Sequence, residues 1–63
     1  MVIVKVCFTD WNGNQRSVDV TSEMAPVLKT KKDDEELIIT AIHYVKCRHS
    51  EWYNINSVEI IAR

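Results

Sequence analysis

A chain of 63 residues, 46% hydrophobic and 27% charged with a formal net charge of −1, has the composition of a small folded domain rather than of a disordered segment. That balance excludes the strong basic bias of a phosphate-binding surface and the strong acidic bias of a DNA mimic. No run approaches the roughly 18 to 20 apolar residues that span a bilayer, and the first residues show no signal-peptide pattern. The expectation is a cytoplasmic protein forming one domain over residues 1–63, with Cys7 and Cys47 as reduced thiols. A domain this small buries only about 60% of its unfolded surface, so its stability margin should be thin.

In chain order, residues 2–9 alternate with period two. Val2, Val4, Val6 and Phe8 make an apolar face, and Ile3, Lys5, Cys7 and Thr9 a mixed one, which predicts a strand. Asn12-Gly13 then signals a hairpin into a second strand over residues 16–21. A two-residue loop would set Phe8 against Ser17 and Val6 against Asp19. An odd loop, Asn12-Gly13-Asn14, sets Phe8 against Val18 and Val6 against Val20, and is the register expected. Thr21-Ser22-Glu23 resembles a helix start, and Met24, Val27 and Leu28 give one turn of apolar stripe, so a short helix ending near Lys31 or Lys32 follows. Pro26 limits its length. The charge run KTKKDDEE reads as a solvated turn.

The segment 37–47, LIITAIHYVKC, is the longest apolar run and admits two readings. Asp33-x-x-Glu36 ahead of it is a capping-box pattern, and Leu37, Ile38, Ala41, Ile42 and Val45 would share a helix face. Ile38, Ile39, Thr40, Ile42 and Val45 are β-branched, and with Tyr44 they favour a strand, which is the reading taken. A polar turn at 48–51 and a returning strand from Trp52 to Ala62 follow, with a bulge or helical turn expected at 54–57, where the apolar parity switches.

The expected fold is α+β: hairpin, short helix, hairpin, giving a four-stranded antiparallel sheet with one helix on one face. The alternative is a small all-β barrel-like domain. The expected core is Val4, Val6, Phe8, Val18, Val20, Leu28, Ile39, Ala41, Ile42, Val45, Ile55, Val58 and Ile60. Because one helix covers one face, Ile38, Ile42 and Tyr44 would remain bare on the other, which predicts a homodimer or a partner complex.

Chemistry is sparsely signalled. Cys7, His43, Cys47 and His49 are zinc-type ligands, but in a strand His43 and Cys47 lie about 13 Å apart, too far to share an ion; as a helix they would stand at i and i+4. No metal or cofactor is expected. No nucleophile, base and oxyanion site combine, and a single glycine leaves no phosphate-cradling loop, so no enzyme is expected. Two binding readings remain. Trp11, placed at a turn, joins Ile38, Ile42 and Tyr44 as candidate protein-contact residues. Lys46, Arg48, His49, Trp52 and Tyr53 cluster at the tip of the second hairpin as a candidate nucleic-acid surface. The first is favoured: a non-enzymatic binding module acting through protein contacts. In size and style only, it resembles the accessory and inhibitor proteins that phages and mobile elements encode.

Overall fold

Alternation in the central strand β1 (Ile3–Asp10) divides the sheet into two faces. Val4, Val6, Phe8 and Asp10 are buried on one, and Ile3, Lys5, Cys7 and Thr9 are half-buried on the other. The computed structural model describes all residues from Met1 to Arg63. Strand β2 (Gln15–Thr21) returns along one side of β1, and β3 (Trp52–Ala62) pairs antiparallel along its other side. The sheet is three-stranded in the order β2-β1-β3. Since both outer strands oppose β1, they run parallel to each other, and the chain joins them through a 3-10 turn at Pro26–Thr30 and a helix, α1 (Asp34–Arg48).

The helix is the main departure from expectation. Segment 37–47 is not a central strand but lies inside α1, so the fourth strand and the second hairpin do not exist. Propensity was outweighed by burial. Five β-branched positions cost a helix about 2 to 3 kcal/mol relative to alanine. Burying Leu37 and Val45 alone returns about 3 to 6 kcal/mol, and both are fully covered together with Ala41, one residue per turn along the inner stripe. The termini agree with this choice: Asp34, Glu35 and Glu36 occupy the first turn, Lys46 and Arg48 the last, each sign matched to the helix dipole. Asp33 stands at the N-cap without a side-chain hydrogen bond, so the capping box does not close.

The core gathers Val4, Val6, Phe8, Val20, Ala25, Leu28, Leu37, Ala41 and Val45, with Val18, Ile55, Val58, Ile60, Tyr44 and Trp52 packed around it. Ile39, expected inside, is 56% exposed, because a 100° step per residue turns it away from Leu37 and Ala41. Ile38, Ile42 and Tyr44 flank the buried stripe and are half-buried. The bare second strand face that predicted a dimer is therefore not present. The expected short helix is only the 3-10 turn, in which Leu28 is buried and Val27 faces outward, with Met24 exposed just ahead of it.

The first hairpin keeps the expected odd loop but starts it one residue earlier. Trp11-Asn12-Gly13 form the turn, which sets Val6 against Val18, Val4 against Val20 and Phe8 against Arg16. Gly13 N–H donates to the Asp10 carbonyl at 3.0 Å, and Gly13 takes the left-handed φ of 83° that closes a three-residue hairpin loop. Opposite, β3 shifts register against β1 at three places. One falls at Asn56, inside the segment where the parity switch was expected, and it occurs without a helical turn.

Candidate functional site

Because β1 ends where β3 begins, the hairpin turn and the α1–β3 junction meet at one end of the molecule. Trp11 N–H donates to the Glu51 carbonyl at 3.0 Å and ties the two together. Asp10 organises the turn from within. It is 3% exposed, and its Oδ1 accepts from the N–H groups of Asn12 at 2.9 Å and Asn14 at 2.8 Å. Its Oδ2 faces Arg16 Nη1 at 3.7 Å, so the buried carboxylate is fully partnered. Trp11 opens this turn, with its side chain largely outside the core.

Two ring–ring contacts and two cation–ring contacts lie at this end. Trp11 is 68% and Tyr53 58% exposed, and their centroids stand 4.8 Å apart with the planes at 68°, an edge-to-face pair outside the core. Trp52 packs on the core's rim with Lys46 Nζ 4.6 Å above its ring. Arg48 lies 5.4 Å from the ring of Tyr44, one helical turn earlier. His49 caps the helix, tilts against Phe8 at 5.9 Å and places Nδ1 3.3 Å from Glu51. The Glu51 carboxyl is held below the ordinary glutamate value by a hydrogen bond from its own backbone N–H. Partial desolvation opposes this, while His49, by hydrogen bond and charge, and Arg16, by charge, reinforce it.

The residues singled out by sequence thus divide. Trp11, Tyr44, Lys46, Arg48, His49, Trp52 and Tyr53 share this end, although 46–53 forms a helix-to-strand junction and not a hairpin tip. Ile38 and Ile42 lie earlier on the helix flank and are not part of it. Asp10 and Arg16 were missed as organisers. An Asp ahead of Asn-Gly, able to bond its own turn, was the available signal.

Other chemistry does not converge. His43 and Cys47 stand one turn apart on the exposed side of α1, and no three His, Cys, Asp or Glu side chains come together to hold an ion. The one concavity is a shallow groove of about 230 Å³ over β1 and β2, lined by Lys5, Cys7, Gln15, Arg16 and Ser17. No helix is long and apolar enough to cross a membrane. Comparison with protein families, with curated proteins and with solved structures finds no match.

Proposed function

We propose that this chain is a non-enzymatic binding module of the cytoplasm that works through protein contacts at its aromatic end. The observation that carries the reading is the Trp11–Tyr53 pair: two large rings held outside the core on a turn whose backbone is fixed by Asp10 and Glu51. Rigid aromatic side chains that lose little entropy on contact are the usual anchors of protein interfaces. Such a module would act as an accessory or inhibitor, by occupying a surface of another protein or of a second copy.

The nucleic-acid alternative draws on Lys46, Arg48, His49, Trp52 and Tyr53 and is the weaker reading. Base stacking needs open ring faces, whereas Lys46 lies over Trp52 and Arg48 over Tyr44. A display selection of random peptides on the protein, with Trp11→Ala/Tyr53→Ala as counter-target, tests the proposal. It should yield peptides that bind at micromolar strength and lose at least about tenfold on the double variant. Peptides that bind both proteins equally, or no enrichment at all, would refute it. Capture of a labelled oligothymidylate that weakens steeply with salt would transfer the reading to nucleic acid.

A further inference from the structure

The turn built on Asp10 has a second property, carried by Asn12 and Gly13 at its apex. Three successive amides end on Asp10: the N–H groups of Asn12 and Asn14 donate to its Oδ1 at 2.9 and 2.8 Å, and that of Gly13 to its carbonyl oxygen at 3.0 Å. The Asp10 N–H closes the loop by donating to the Asn14 carbonyl at 2.9 Å. Asn12 and Gly13 are both exposed, and the Asn12 side-chain amide is free, whereas those of Asn54 and Asn56 are hydrogen-bonded. An asparagine followed by glycine is the pair in which backbone attacks side chain most easily, because glycine has no Cβ to obstruct the close approach.

We infer that Asn12 is a deamidation site that Asp10 holds closed. In the reaction the Gly13 nitrogen loses its proton and bonds to Asn12 Cγ, the Cγ–Nδ2 bond breaks and ammonia leaves. Water then opens the cyclic imide at one carbonyl or the other, giving aspartate or isoaspartate. The folded turn opposes the first step in two ways. The Gly13 proton that must be surrendered is donated to Asp10, and bringing this nitrogen onto Cγ rotates the Asn12–Gly13 peptide away from the orientation in which the amides reach Asp10. The negative charge that develops on the nitrogen also lies beside the buried Asp10 carboxylate, and like charges repel more strongly where water is excluded. Losing these bonds corresponds to about tenfold or more in rate. Neither product restores the turn: each adds a carboxylate to a loop that already encloses one, and isoaspartate lengthens the backbone by a methylene. Conversion of Asn12 therefore records opening of the turn that carries Trp11.

The full chain is incubated at mildly alkaline pH, native and in denaturing guanidinium chloride, then digested for peptide mass analysis, with an isoaspartate-specific methyltransferase as second readout. In the denatured chain Asn12 should convert ahead of Asn14, Asn54 and Asn56, which precede the bulkier Gln15, Ile55 and Ser57. In the native protein Asn12 should convert at least about tenfold more slowly than in the denatured chain. Asp10→Ala should recover most of that difference in a sample whose circular dichroism remains native. Asp10→Asn, which keeps an acceptor and removes the charge, should recover part of it and serves if the alanine variant fails to fold. Equal native and denatured rates, a native rate that neither folded variant raises, or a denatured chain in which Asn12 is not the first to convert would overturn the inference.

Discussion

The molecule has two apolar regions that look alike in composition and differ in use. Beneath α1, Val4, Val6, Phe8, Leu28, Leu37, Ala41 and Val45 are sealed between helix and sheet. At the end of the sheet, Trp11 and Tyr53 touch mainly each other and water. The first region holds the fold, because removing its surface from water is the largest favourable term available to so short a chain. The second is held by the fold: hydrogen bonds accepted by the Asp10 carboxylate and the Glu51 carbonyl fix its backbone, and its rings contribute little in return. Apolar area that does not stabilise the folded state remains available to a partner.

The contrast can be broken most forcefully from the inside. Phe8→Ala removes the largest fully buried side chain and should cost about 3 to 5 kcal/mol, most of the stability expected of a domain this size. Urea denaturation followed by circular dichroism should find the variant largely unfolded; a loss under about 1 kcal/mol would mean the core is not where it is placed. The support beneath the aromatic end comes next. Asp10→Ala strips the acceptor from the Asn12 and Asn14 N–H groups and leaves Arg16 unpaired, a loss of about 1 to 3 kcal/mol in the same assay.

Gly13→Ala should cost about 1 kcal/mol through backbone conformation alone, since an added Cβ would meet nothing within 4 Å while φ stays at 83°. Gly13→Asn, which tolerates that region better, should recover part of it. Smallest is the pH effect at the junction. The folded-state pKa of Glu51 lies below its unfolded value, so its contribution is complete above the ordinary glutamate range and fades as pH falls through the folded value. Melting curves of wild type and Glu51→Gln should therefore separate slightly near neutrality and converge in acid. Because the carboxylate is exposed, the separation is screened by solvent and salt.

Both regions were partly legible in the sequence, for different reasons. Strict alternation over residues 2–9 and 16–21 identifies the covered face, and it agrees with the paired Val6–Val18 and Val4–Val20 rows. The helix was hidden because Ile38, Ile39, Thr40 and Ile42 carry strand propensity, while the force that made them helical, burial of Leu37, Ala41 and Val45 on a sheet built elsewhere in the chain, is tertiary. The capping pattern at Asp33 and Glu36 and the opposite charges at the two ends were the local signals pointing the right way. The hairpin register slipped because Asn12-Gly13 marks a turn without saying which residue opens it. The aromatic end was visible as a list of residue types near 44–53. Its joining to Trp11 was not, because that depends on long-range pairing of Asp10 with Trp52 across an irregular register.

Separability of the two regions is the central claim, and Trp11→Ala/Tyr53→Ala tests it most directly. Urea denaturation and peptide binding are measured on one preparation of the double variant. The account predicts a stability change of about 1 kcal/mol or less, the scale of one exposed aromatic pair, together with loss of at least about tenfold in affinity for peptides selected on the wild type. A variant that unfolds, or one that stays folded and binds those peptides undiminished, would contradict it.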